Sequence, residues 1–116
     1  MDIEQLSQFC KTLPAVTEDV KWGNDLCFSV GNKMFCVAGL SNPVSLSFKV
    51  DEEEFEELSS RTGFKPAPYL ARHHWIYMEN AGSIPAPELK MYIRQSYDMI
   101  RAKLSKKTKK QIGLDE

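Results

Sequence analysis

The chain lacks a long hydrophobic run, and it also lacks a strong charge of either sign. No apolar stretch among its 116 residues approaches the roughly 20 that a membrane-crossing helix needs. The first four residues carry two acids where a secretory signal would be basic and then apolar. The formal net charge is −1, without the basic excess typical of autonomous DNA-binding domains. The sequence therefore predicts a cytoplasmic protein that has no membrane partner.

Cysteine is scarce, and its spacing fits no familiar site. Cys10, Cys27 and Cys36 form no CxxC pair, which argues against both a disulfide framework and a zinc site. The sequence contains no HExxH motif and no glycine-rich phosphate loop before a helix. It also offers no recognisable serine or cysteine nucleophile motif. We therefore predict that the protein is not an enzyme and needs no cofactor or metal.

The composition is that of one globular domain with a basic end. Hydrophobic residues make up 42% and charged residues 27% of the chain, which is ordinary for a folded protein. Residues 1–100 hold nine Lys or Arg against fourteen Asp or Glu, whereas residues 101–114 hold six cations and no acid. No apolar residue after Leu104 continues the last helical stripe. We therefore predict a single domain over residues 1–105 and a basic, mobile tail over residues 106–116.

Hydrophobic periodicity predicts the element order α-β-β-β-β-α-β-α. Apolar residues recur at helical spacing over residues 2–13, after Asp51 and after Pro85. Between residues 18 and 50 the period changes to two, which predicts four consecutive antiparallel strands, and residues 75–79 form a fifth. Helices packed on one face of an antiparallel sheet define an α+β domain.

The turn between the second and third predicted strands sets the register of the sheet. Gly31-Asn32 is typical of a two-residue type II′ turn, which would place Phe28 opposite Phe35. One face should then bury apolar residues against the first and last helices: Trp22, Leu26, Phe28, Phe35, Leu46, Phe48 and Ile76. The opposite face should carry mostly small or polar residues: Cys27, Ser29, Met34, Cys36, Ser45, Ser47 and Lys49.

The segment from Lys65 to Trp75 gathers cations, imidazoles and aromatic rings on a loop that prolines stiffen. Cations can contact phosphates, and aromatic rings can stack on bases. We therefore predict weak, salt-dependent contact with DNA phosphates. The residues predicted to make it are Lys33, Lys49, Lys65, Tyr69, Arg72, His73 and His74.

An ordered series of short motifs resembles a known family. They are Thr17-Glu18, Trp22-Gly23, the hairpin from Gly31 to Phe35, Ser47-Phe48-Lys49, Tyr69 to Ile76, Glu88-Leu89, Ser96-Tyr97 and Lys103-Leu104. Over about residues 6–107 the chain resembles the MmcQ/YjbR-like family of small bacterial cytoplasmic proteins. The resemblance implies a frataxin-like α+β fold, a proposed "double wing" mode of DNA binding and no established catalytic residues. Arg72-His73-His74 departs from the family, which is usually rich in lysine at this point.

Two other roles stay open at the level of the sequence. A protein-interaction or small-ligand-binding module would use the small-residue sheet face or the loop from Tyr69 to His74. Iron binding, which in frataxin-like proteins involves acids on the first helix, is less expected because that helix offers only Asp2 and Glu4.

Overall fold

Six strands and four α-helices make up the fold in the computed structural model, which describes residues 1–114. The strands are Val16–Lys21 (β1), Asp25–Val30 (β2), Lys33–Gly39 (β3), Ser45–Lys49 (β4), Phe64–Pro66 (β5) and Trp75–Met78 (β6). The helices are Ile3–Lys11 (α1), Glu52–Ser59 (α2), Ala86–Ala102 (α3) and Lys106–Gln111 (α4), and a 3-10 helix spans Ala71–His73. The strands form one antiparallel sheet in the order β1-β2-β3-β4-β6-β5. The predicted α+β class is confirmed.

The predicted order omits β5 and α4, and in this detail it is wrong. β5 has only three residues and pairs with β6 through Phe64 opposite Met78. A segment this short shows no alternation, so only its tertiary pairing makes it a strand. α4 carries lysine at four of its six positions, which hides any helical period. The likeness to a frataxin-like domain stays a prediction.

Sequence signals at the helix starts act as expected. The Asp2 side chain accepts from the Gln5 backbone N at 2.8 Å, and the Gln5 side chain accepts from the Asp2 backbone N at 3.0 Å, which forms a capping box. Asp51 caps α2 by accepting from the Glu54 backbone N at 2.8 Å. Pro85 precedes α3, where its fixed φ suits the first turn.

The hairpin between β2 and β3 has the predicted turn but not the predicted register. Val30 pairs with Lys33 across the two-residue turn, yet Phe28 pairs with Cys36 instead of Phe35. A β-bulge adds one residue on β3, so Phe35 and Cys36 are both fully buried. Val37 and every later residue of β3 therefore face the side opposite to the one predicted. Gly31 and Asn32 both have positive φ, at +57° and +64°, as a type I′ turn and not a type II′ turn requires.

Helix α3 packs over the centre of the sheet on one face. The hydroxyl of Ser96 donates to the Phe35 carbonyl oxygen at 2.6 Å and accepts from the Lys49 backbone N at 3.0 Å. The Tyr97 ring meets the Phe35 ring edge-on, with centroids 5.3 Å apart. Apart from Trp22, the residues predicted for this face are all buried, including Leu26, Phe28, Leu46, Phe48 and Ile76.

The prediction that Trp22 is buried in the core is wrong. Its side chain is 70% exposed, and its φ of +54° turns the chain away at the end of β1. β1 is a sheet edge, whereas α3 packs on β2, β3 and β4. Alternation correctly indicates a strand here, but Trp22 lies just after the last residue of β1 on left-handed backbone, so its side chain no longer follows the alternation of the strand.

Residues 104–114 contact the body of the domain, although no apolar residue after Leu104 continues the stripe of the last long helix. Leu114 is 4% exposed and belongs to the core cluster, and Ile112 packs against that cluster. The side chains of Leu104 and Thr108 lie against Gly31 at the hairpin tip. Asp115 and Glu116 of the predicted tail lie outside the described residues. No helix in residues 1–114 is long and apolar enough to cross a membrane.

Candidate functional site

The sheet has a second face, which points away from α3. One row across it follows from the pairings of all six strands: Asp19, Cys27, Val37, Ser47, Tyr77 and Lys65. Side chains alternate along a strand, so this row lies on the face opposite to that of Leu46 and Phe48, which point into the core. Because of the bulge, Val37 lies on this second face and Cys36 lies on the core face, the reverse of the prediction.

The segment after β5 folds back over this second face. Ala67 N donates to the Trp75 carbonyl oxygen at 2.9 Å, and Trp75 N donates to the Leu70 carbonyl oxygen at 3.3 Å. Trp75, Ala67 and Cys27 are each at most 5% exposed, yet they lie outside the main core cluster. The loop therefore seals a small buried layer of its own on the second face.

A groove of about 530 Å³ opens between the second face and loop residues 67–70. Pockets for small molecules typically enclose about 300–1,000 Å³, so the groove has a suitable size. Four strand residues, four loop residues and one turn residue line it: Asp25, Met34, Val37, Ser47, Ala67, Pro68, Tyr69, Leu70 and Trp22. Most of these side chains are apolar or aromatic, as in typical ligand sites.

Two exposed aromatic residues stand at this groove. Trp22 is 70% exposed and Tyr69 is 98% exposed, and both have left-handed backbone, with φ of +54° and +68°. Bulky residues rarely adopt positive φ, because the side chain then crowds the backbone. Strained backbone of this kind clusters at functional sites. Among the residues described, the other exposed large hydrophobics, Val20, Leu40 and Met91, are not aromatic and do not line the groove.

Asp25 is the one carboxylate of the groove lining, and no Lys, Arg or His accompanies it. Its side chain is half-buried, and none of the ion pairs among residues 1–114 includes it. The neighbouring Cys27 thiol has a pKa raised first by burial and further by the charges of Asp25 and Asp19, while Lys21 acts in the opposite sense. Among the three charges that act on this thiol, that of Lys21 has the largest effect, and only Asp25 lines the groove.

Four of the residues predicted to contact DNA lie on or just after β5. Tyr69 is at the groove, and Arg72 and His73 are exposed in the adjacent 3-10 helix. Lys65 stands on β5 with its Nζ 5.2 Å from the centroid of the Tyr77 ring. These residues belong to the same loop region, although the region contains a strand and a helical turn that were not predicted.

The other three predicted contacts have structural roles or lie elsewhere. Lys49 Nζ donates to the His73 carbonyl oxygen at 2.5 Å, and burial, with a smaller effect from Lys103, lowers the pKa of Lys49. The half-buried His74 packs its ring 5.4 Å from that of Phe55. Lys33 lies at the hairpin tip. Within residues 1–114, no group of three or more His, Cys, Asp or Glu could hold a metal ion.

Comparison with known proteins gives a family and a fold. The family model described as YjbR matches residues 11–99. A Deinococcus radiodurans protein, DR2400, with a DUF419 domain, is 30% identical, with a TM-score of 0.85 over 97% of this chain and 88% of that one. A protein from Pseudomonas syringae is 20% identical, with a TM-score of 0.73 over 87% of this chain and all of its own, which shows the fold alone. No curated protein matches the chain.

Proposed function

The chain belongs to the YjbR family, and we propose that it is a non-enzymatic module that binds a small, largely apolar molecule in the groove. The observation that carries the proposal is the pair of exposed aromatic residues, Trp22 and Tyr69, on left-handed backbone at a groove of about 530 Å³. A ligand that covers these two large rings would gain free energy from their burial, at about 25 cal/mol per Å² of apolar surface.

The lining of the groove supports a small ligand over a nucleic acid. Met34 and Val37 provide an apolar floor, Pro68 and Leu70 provide a wall, and Ser47 offers one hydroxyl for orientation. No Lys or Arg lines the groove, whereas a phosphate-binding surface depends on cations. A few polar groups in an apolar cleft are typical of small-molecule sites.

The states of the cysteines support binding without catalysis. Burial is the main cause that raises the pKa of the Cys27 thiol, and it raises the pKa of Cys36 well above its usual range. A thiol must lose its proton to act as a nucleophile, so both are poorly suited to covalent chemistry. All three cysteines are free, and we propose a reducing compartment, the cytoplasm, as the protein's location.

Chemical-shift mapping with a neutral aromatic probe tests the proposal. Titrating ¹⁵N-labelled protein with 2-phenylethanol should shift the amide signals of Met34, Val37, Ser47 and Leu70. Signals of the cavity between α1 and α3, which has about 300 Å³ and includes Gln8 and Lys90, serve as the internal control. If the groove signals stay in place up to the solubility limit, or if shifts occur equally at both cavities, the groove is not a selective ligand site.

A second candidate is contact with nucleic acid through the loop region. The observation that favours it is Tyr69, 98% exposed, close in the chain to the exposed Arg72 and His73, an arrangement that could stack a base and contact a phosphate. Retention on DNA at low salt and pH 6 should then be lost in Arg72→Glu/His73→Glu. It should persist in Arg94→Glu, an exposed site on α3. Absence of retention by the wild-type protein would eliminate this candidate and leave the groove proposal untouched.

A further inference from the structure

The residues that line the groove carry formal charge of one sign only, which is negative. Of its lining residues, Asp25 alone carries a formal charge at neutral pH. Asp25 is at the start of β2, where it pairs with Lys21 on β1 and Gly39 on β3. Although Lys21 is opposite in the ladder, no described ion pair joins the two side chains. The Asp25 carboxylate thus lines the groove without a direct ion pair, although Lys21 lies on the neighbouring strand.

A half-buried carboxylate without a cationic partner is costly to keep. Partial removal from water weakens its hydration, and an opposite charge at short range offsets that loss. The charges of Asp25 and Asp19 both act to raise the pKa of the neighbouring Cys27 thiol, and the charge of Lys21 acts more strongly in the opposite sense, but of these three residues only Asp25 lines the groove. A positively charged ligand would be attracted to this end of the groove.

The aromatic residues favour the same kind of ligand. The faces of Trp and Tyr rings carry negative electrostatic potential and attract cations placed within about 6 Å. Trp22 and Tyr69 both line the groove with Asp25, so two rings and one carboxylate are available to a single ligand. Aromatic rings combined with a carboxylate suit an ammonium group, and the apolar floor suits a hydrocarbon body.

We propose that the groove selects organic cations, small molecules in which a protonated amine or quaternary ammonium is attached to an apolar group. The charged end lies towards Asp25 and the rings, and the apolar body covers Met34 and Val37. This inference rests on the proposed function of the groove and names the class of its ligand.

A charge series of similar probes tests the inference. Phenethylamine, 2-phenylethanol and phenylacetate share a phenyl body and carry positive, neutral and negative end groups. The cation should bind about tenfold more tightly than the alcohol, which corresponds to about 1.4 kcal/mol, and phenylacetate should bind most weakly. Benzyltrimethylammonium should match or exceed phenethylamine, because it keeps the charge without a hydrogen-bond donor.

Two variants test whether the Asp25 carboxylate causes the preference for the cation over the alcohol. Asp25→Asn should reduce the preference for phenethylamine over 2-phenylethanol to near unity while the alcohol still binds. Asp19→Asn, on the same sheet face but not in the groove lining, should keep most of the preference.

Equal binding of cation and alcohol by the wild-type protein would overturn the organic-cation inference alone. Failure of every probe to bind would overturn the ligand-binding proposal together with it. The wild-type series decides the matter even if Asp25→Asn does not fold.

Discussion

The Ser96 hydroxyl donates a hydrogen bond to the Phe35 carbonyl oxygen at 2.6 Å, which ties α3 to the bulge in β3. The Ser96 hydroxyl oxygen also accepts a hydrogen bond from the Lys49 backbone N, so one fully buried hydroxyl satisfies two backbone groups. We predict that Ser96→Ala lowers the free energy of unfolding by about 1–3 kcal/mol, because both groups would lose a buried partner. Urea unfolding measures this, with the exposed Ser41→Ala as control, and an unchanged midpoint would contradict the role given to Ser96.

Phe48 tests which face of the sheet is buried. Its side chain is fully buried and stacks on the Tyr92 ring, with centroids 5.5 Å apart. Phe48→Ala should cost about 3–5 kcal/mol of stability, the usual range for a large-to-small change in a core. Lys65, on the second face and exposed, provides the matched change: Lys65→Ala should have little effect in the same urea experiment. A cost for Phe48→Ala below about 1 kcal/mol would indicate that the face is misassigned.

Alanine variants of two turn glycines, Gly23 and Gly31, distinguish the cost of backbone strain from the cost of steric overlap. Gly31 has φ of +57°, and a Cβ there would be 2.8 Å from both methyl groups of Leu104. Gly23 has φ of +78° but no neighbour within 4 Å of such a Cβ. Both alanine variants should lose about 1–2 kcal/mol from left-handed backbone strain. Gly31→Ala should lose about 1–3 kcal/mol more, because Leu104 must move. Equal losses would show that Leu104 does not pack on the hairpin tip as described.

Variants in the C-terminal segment test the prediction that the folded domain ends at residue 105. Leu114 is 4% exposed in the core cluster, so Leu114→Ala should lower the free energy of unfolding by about 2 kcal/mol. The control is Lys110→Ala, which changes an exposed cation on α4. Thermal unfolding of both, and of a chain ending at Ser105, should rank the truncation as least stable. A truncated chain with an unchanged midpoint would contradict this packing and support the prediction of a dispensable tail.

The sequence predicts most of the fold because its local signals agree with the tertiary arrangement. The helix starts at Asp2 and Asp51 and the two-residue turn at Gly31 depend on interactions within a few residues. β5 and the bulge at Phe35 depend on partners far along the chain, so periodicity does not reveal them. The bulge alone moves Cys36 into the core and Val37 out of it, which is how one extra residue changes the faces of a strand.

The candidate site could be predicted only in part. The convergence of prolines, cations and aromatic residues indicates the loop around Tyr69, and alternation indicates the small-residue sheet face. Their meeting in one groove depends on how the loop folds back, through the hydrogen bonds between Ala67, Leu70 and Trp75. Alternation places Trp22 in the core, because an alternating aromatic residue is usually buried. The following Gly23-Asn24 turn is the sequence signal that the strand ends there.

The affinity of 2-phenylethanol for ring-deletion variants tests the central claim most directly. Asparagine tolerates positive φ, so Trp22→Asn/Tyr69→Asn removes both rings with little backbone strain. Met91→Asn, at an exposed site on α3, is the control for loss of exposed apolar surface. We predict at least about tenfold weaker binding by the double variant, since each ring contact is worth about 0.5–1.5 kcal/mol, and unchanged binding by Met91→Asn. If the double variant binds the probe as tightly as the wild-type protein does, the groove between Trp22 and Tyr69 is not the ligand site.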